Sequence, residues 1–231
     1  MSESPWRFIE RGEYQQAVEA YTHAIQQDPL QAPHYANRAF AYLGMKAYGA
    51  AAQNWAEIVR LRPDSDDGYI GLGLCHWCLT SAGAAIETWK RGLGASYTDA
   101  AGGVQVPSLL LYAALRTGDQ HLIKEGWQLL RRHARRKLTT WPGPIVPYLL
   151  GRLPEDALHA ALERATQAPV LRERFRCQAA FYQGVRGLVE GKQEAFQEHM
   201  RACAESWYGY LEFEYYLAGW EVVNQFPAIK L

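Results

Sequence analysis

Cys75-His76-Trp77-Cys78 is the stretch whose residue types and spacing come nearest to chemistry. Two thiols three positions apart can cycle between dithiol and disulfide when one is held as a thiolate, and the same spacing supplies two of the four ligands of a structural zinc site. The redox use needs a strand running into a helix, a context this chain does not offer. The zinc use needs a second ligand pair, and none follows at a finger-like interval. The motif comes directly after Leu72-Gly73 inside a helical pattern, where cysteine packs as a small apolar residue. That plainer reading is preferred, and no metal, cofactor or catalytic residue is assigned.

The other chemical residue types are scattered. None of the seven histidines (His23, His34, His76, His121, His133, His159, His199) has a second histidine three or four positions away, so no helix face offers a two-histidine metal site. Gly102-Gly103 lacks the Lys-Ser/Thr that would follow in a phosphate-binding loop. Glu212, Glu214 and Glu221 could supply an acid–base set, with Glu214 and Glu221 seven apart on one helix face, but spaced glutamates on an aromatic-rich helix read as a half-solvated cap. The run Arg131-Arg132-His133-Ala134-Arg135-Arg136-Lys137 is a real charge concentration. It is a secondary candidate surface for an acidic protein patch, although cations also belong in the last turn of a helix, where they offset its dipole. Nothing here meets the geometric roles of an active site, and the expectation is that the chain is not an enzyme.

The bulk composition agrees with a folded binding module. In 231 residues, 48% are hydrophobic and 21% charged, enough to bury a core. Basic and acidic residues balance at 24 each, so nucleic acid is not expected as the main partner. No apolar run reaches the roughly 18 residues of a membrane span, and the N-terminus lacks a secretory pattern, which gives a cytoplasmic expectation. Four cysteines in a chain this long do not suggest a disulfide framework.

The elements that position these residues are set by an internal repeat. Pro29 and Pro63 are 34 apart, and the same interval separates Tyr14 from Tyr48, Tyr35 from Tyr69, Ala17 from Ala51 from Ala85, and Tyr21 from Trp55 from Trp89. An aromatic, Leu-Gly, Ala, a large aromatic and Pro at this period resemble the tetratricopeptide repeat (TPR), most fully at Tyr69, Leu72, Gly73, Ala85 and Trp89. The resemblance covers about residues 1–93 and implies an all-α, right-handed superhelical solenoid of helix hairpins. Small alanines let paired helices approach, the large aromatics fill the gap to the next unit, and Pro stops each second helix. The first copy is abbreviated, with Ser4 as N-cap and Pro5 opening a helix to about Arg11.

Beyond the repeats, 94–137 reads as a loop and a divergent fourth hairpin: Pro107 opens its region and Gly118-Asp119 turns it. Residues 138–231 read as a C-terminal helical region. It has short helices from Ile145 and Pro154, a hairpin over about 171–206 with Gly184 and Gly191 seven apart, and a capping helix near 210–223. The whole is expected to form one continuous solenoid. Through Trp141, Tyr148-Leu149-Leu150-Gly151, Ala179-Ala180-Phe181-Tyr182-Gln183-Gly184 and Glu212-Phe213, this half resembles bacterial TPR proteins, including cell-envelope TPR lipoproteins; with no lipoprotein signal read in the sequence, their location is not expected here.

In TPR proteins the first helix of each hairpin lines a concave groove that holds a partner segment. By that register the partner-binding candidates are Trp6, Asn37, Phe40, Leu43, Asp67, Ile70, Leu74 and Trp77. Asn37 matches an asparagine of TPRs that clamp a terminal carboxylate, but the flanking positions are Ser2, Trp6, Asp67 and Gly71 rather than Lys and Arg. A groove of mainly apolar residues suits an amphipathic helix instead. The expected function is a non-enzymatic protein-binding module. The alternative is a dedicated inhibitor or immunity-type protein that blocks a bacterial toxin or enzyme. Oligomeric state is not readable.

Overall fold

The computed structural model describes residues 4–135, 138–227 and 229. The described residues form helices without an extended strand, and the chain divides into two compact units, Met1–Ser96 and Tyr97–Leu231.

The first unit holds α1 (Trp6–Glu10), α2 (Tyr14–Gln27), α3 (Ala32–Gly44), α4 (Tyr48–Leu61), α5 (Asp66–Cys78) and α6 (Ala82–Gly92). They pair as three successive hairpins, each packed on the next. Ala17, Ala51 and Ala85 are fully buried, and Tyr21, Trp55 and Trp89 fill the core one repeat apart. A buried indole removes roughly 200 Å² from water, about 5 kcal/mol of gross stabilisation before entropy is charged against it. α1 starts at Trp6, one residue later than expected, with Pro5 at its N-cap.

Two local devices recur with the period. The turn inside each hairpin passes through a left-handed residue: Gly12 (φ 72°), Lys46 (φ 56°) and Thr80 (φ 62°), each 34 after the last. Between hairpins, the Tyr35 hydroxyl donates to the Pro29 carbonyl at 3.1 Å and the Tyr69 hydroxyl donates to the Pro63 carbonyl at 3.2 Å. Each tyrosine thus ties the start of a first helix to the proline that ends the preceding second helix.

The second unit holds α7 (Gln105–Thr117), α8 (Gln120–His133), α9 (Ile145–Leu149), α10 (Glu155–Ala165), α11 (Pro169–Val189), α12 (Gln193–Ala204), a 3-10 turn at Gly209–Leu211 and α13 (Phe213–Val223). The 21-residue α11 is the centre, in contact with α7, α9, α10, α12 and α13. Gly118 and Gly191 take left-handed conformations in the α7–α8 and α11–α12 turns, and Asp119 caps α8 by accepting from the Leu122 amide at 2.8 Å. Gly184 and Gly187 let α12 lie close to α11: a Cβ on Gly184 would fall 2.8 Å from Met200 Cε. The tyrosine tie recurs here, with the Tyr216 hydroxyl donating to the Tyr210 carbonyl at 2.8 Å.

α7 begins two residues before Pro107, and the cause is Asp99. Its carboxylate accepts from the amides of Ala101, Gly103, Val104 and Gln105 at 2.6–3.2 Å, ordering the turn that leads into the helix. Gly102 and Gly103 supply the positive φ values, 83° and 84°, that this turn requires.

Candidate functional site

The eight residues predicted to line a groove lie on α1, α3 and α5, and burial divides them. Ile70 and Leu74 are fully enclosed, while Trp77 and Leu43 are 1% exposed. Trp6, Asn37 and Phe40 are half-buried, and Asp67 is exposed. The expectation of an apolar groove at Leu43, Ile70, Leu74 and Trp77 is therefore corrected: these four are core.

The reason is visible in α5. Its glycines carry the neighbouring indoles against the helix backbone: a Cβ on Gly71 would lie 2.3 Å from the Trp55 ring, and one on Gly73 would lie 2.3 Å from Trp89 Nε1. Trp89 Nε1 donates to the Ile70 carbonyl at 3.1 Å, and the Trp77 ring meets the Trp89 ring at 6.0 Å. Phe40 is spent partly inside the array, edge-on to Trp55 at 5.4 Å. Arg38 ties three helices, donating from α3 to Thr22 on α2 at 3.0 Å and to Asn54 on α4 at 2.8 Å. Of the eight predicted residues, Trp6, Asn37, Phe40 and Asp67 stay accessible and make up the candidate strip. It offers two aromatic faces, an amide and a carboxylate.

Cys75 and Cys78 are both buried on α5, and burial pushes the Cys75 thiol well above its ordinary value. A thiol held protonated is a poor nucleophile and a poor ligand. Among the described residues no group of three His, Cys, Asp or Glu side chains is placed to hold a metal ion. Of the basic run, Arg131 and Arg132 lie exposed in the last turn of α8 and Arg135 lies exposed just beyond it. Arg136 and Lys137 lie outside the described residues. The Gly102-Gly103 loop does cradle an anion, but the anion is the chain's own Asp99.

The glutamates read as a half-solvated cap are buried instead: Glu212 is 6% exposed, and Glu214 and Glu221 are fully enclosed. Glu221 accepts from the Tyr112 hydroxyl at 2.6 Å and from Arg116 at 2.6 and 2.9 Å. Glu212 accepts from Arg174 Nε at 2.5 Å and from Gln178 at 2.8 Å, and Gln178 in turn accepts from Trp141 Nε1 at 2.6 Å. One oxygen of Glu214 accepts from Tyr182 at 3.0 Å and Gln105 at 2.9 Å. Burial, with the neighbouring Glu214 carboxylate, pushes the Glu212 carboxyl up to about 8 against the opposing pull of Arg174. Burial also raises Glu214 and Tyr182. Their partners come from helices up to 109 residues away, and every donor named is structural in placement, so the set fastens α13 to α7 and α11.

A cleft of about 370 Å³, unmarked by any sequence motif, lies beside α11 in the second unit, with Arg152, Glu155, Gln183, Arg186, Lys192 and His199 in its wall. Most of its charges answer one another: Arg186 and Lys192 both reach Glu190 at 2.7 Å, and Gln183 donates to Glu155 at 2.5 Å. No helix among the described residues is long and apolar enough to cross a membrane.

No family model matches the chain. Protein SGT1 homolog from Bos taurus is 30% identical over 86 residues, which make up 37% of this chain and 25% of that protein. Small glutamine-rich tetratricopeptide repeat-containing protein 2 from Saccharomyces cerevisiae is 32% identical over 81 residues, 35% of this chain and 23% of that one. The chain thus matches about a quarter of the length of these curated relatives. Among solved structures, PilW, a type IV pilus biogenesis factor, is 14% identical with a TM-score of 0.46, over 87% of this chain and 89% of that chain.

Proposed function

We propose that this chain, whose N-terminal unit resembles the tetratricopeptide-repeat proteins, is a non-enzymatic scaffold that holds a segment of a partner protein against the first helices of that unit. The observation that carries the reading is the stack of three hairpins at a 34-residue period in which Trp6, Asn37, Phe40 and Asp67 on α1, α3 and α5 stay accessible while Leu43, Ile70, Leu74 and Trp77 are core.

The chemistry of the strip describes the partner. Trp6 and Phe40 take apolar side chains, Asn37 pairs with a main-chain amide, and Asp67 prefers a basic residue. A short extended or irregular segment with one apolar anchor and a nearby Lys or Arg fits better than the amphipathic helix expected from the sequence. A terminal-carboxylate clamp is disfavoured, since Asp67 is exposed where a cation would be needed.

The test compares capture of a partner from native lysate by the intact protein and by a Trp6→Ala/Asp67→Asn variant whose helicity is checked by circular dichroism. Loss of a stoichiometric partner in the folded variant supports the reading. Retention of the partner by that variant would sink it and send the search to Arg131, Arg132 and Arg135.

A further inference from the structure

Cys177 on α11 and Cys203 on α12 are both fully buried, and their sulfur atoms are 3.3 Å apart. Cys177 Sγ also lies 3.6 Å from the Cys203 carbonyl, so the two side chains face each other across the hairpin rather than passing. A disulfide needs the sulfurs at about 2.05 Å, a further approach of about 1.2 Å that side-chain rotation can supply when the backbones are already adjacent. At Cys203 itself the α12 backbone is within reach of the Cys177 side chain, as the 3.6 Å from Cys177 Sγ to the Cys203 carbonyl oxygen shows.

We propose that Cys177 and Cys203 form a disulfide-bonding pair that cross-links α11 to α12 when the chain folds in the presence of a small-molecule disulfide oxidant. The step is thiol–disulfide exchange. One cysteine, as thiolate, attacks the S–S bond of oxidised glutathione and expels one reduced glutathione. The second cysteine then attacks the mixed disulfide and expels the other. The pair gives up two protons and two electrons, and the oxidant's S–S bond is reduced to two thiols.

Burial sets the timing. In the folded chain neither sulfur meets solvent, and burial together with the facing Cys177 and the nearby Glu214 and Glu212 carboxylates holds the Cys203 thiol protonated. Attack therefore belongs to the stage at which the hairpin is still open. Once closed, the same burial hides the bond from reductants. The sequence offers no signal for the pair, since the two cysteines are 26 residues apart on divergent helices.

The experiment starts from reduced protein unfolded in urea and refolds it into a buffer of oxidised and reduced glutathione, with a reductant-only refold beside it. Free thiols are trapped with iodoacetamide and the product is digested with trypsin, which places Cys177 in peptide 177–186 and Cys203 in peptide 202–230, each as the only cysteine. A Cys75→Ser/Cys78→Ser variant is carried through in parallel to remove competing thiols. The expected result is that the two peptides are joined, and that the joined product melts roughly 5–10 °C above the reduced one. Peptides that stay alkylated, that are joined only to glutathione or to the Cys75–Cys78 peptide, or that are joined in a product melting below the reduced form would overturn the assignment.

Discussion

Gly73 and Trp89 are in direct backbone-to-ring contact, so close that a Cβ on Gly73 would stand 2.3 Å from the indole nitrogen. The same separation holds between Gly71 and the Trp55 ring. Trp55 and Trp89, the large aromatics of the second and third repeats, are thus each accepted by a residue with no side chain on α5. Gly73→Ala is expected to destabilise the chain by roughly 1–3 kcal/mol through overpacking. Gly83→Ala on α6, where a Cβ would meet nothing within 4 Å, is expected to stabilise it by about 0.5–1 kcal/mol. Urea denaturation of the two variants checks this, and shifts of the same sign would refute the contact.

The left-handed turn positions give an independent test, because only the first of the three, Gly12, is occupied by the residue type suited to it. Lys46 and Thr80 hold the same conformation against the clash of their Cβ atoms, and Thr80 adds a β-branch. Thr80→Gly is expected to raise stability by about 1 kcal/mol and Gly12→Ala to lower it by a similar amount. Thermal denaturation reads both, and a destabilising Thr80→Gly would contradict the backbone assignment.

What the sequence discloses is what repeats. The alanine and aromatic positions one period apart give the hairpins directly, since the same packing problem is solved three times with the same residue types. Lys46 and Thr80 hide the turn they share with Gly12, because their side chains disguise a conformation fixed by the helices on either side. Register assigns Ile70, Leu74 and Trp77 to the first-helix face but says nothing about what encloses them, and the three are core. Glu214 and Glu221 carry no local sign of burial: their partners, Gln105 and Tyr112, are each 109 residues distant. Asp99 is legible only in retrospect, as the anion for which Gly102 and Gly103 bend.

Glu221 and Arg116 form a buried pair completed by Tyr112, with Arg116 also donating to the Pro227 carbonyl at 2.6 Å. Removing one partner leaves the other charge enclosed without an answer. Glu221→Ala and Arg116→Ala are each expected to cost roughly 3–5 kcal/mol, and Tyr112→Phe about 1–2 kcal/mol. A Glu221→Met/Arg116→Met double variant should be more stable than either single alanine variant. Denaturation midpoints for the four proteins decide the matter, and additive losses in the double variant would show that the charges are not coupled.

Glu212 gives the fold a pH dependence of defined sign. In the folded chain burial and Glu214 hold its carboxyl at about 8, against an ordinary value of 4.5. Between those limits the folded state keeps a proton that the unfolded state has released. The contribution of this proton is therefore fully present below about pH 4.5 and is lost as pH rises through about 8. Glu214, also raised by burial, acts in the same direction. Glu212→Gln mimics the protonated form and keeps an oxygen able to accept from Arg174. The melting temperature of the wild-type chain, measured from pH 5 to 9, is expected to decline more steeply than that of the Glu212→Gln variant. Parallel profiles would mean that the Arg174 ion pair, at 2.5 Å, outweighs burial and keeps Glu212 ionised throughout. The variant would then be the less stable protein at every pH in the range, a second reading that does not depend on the slope.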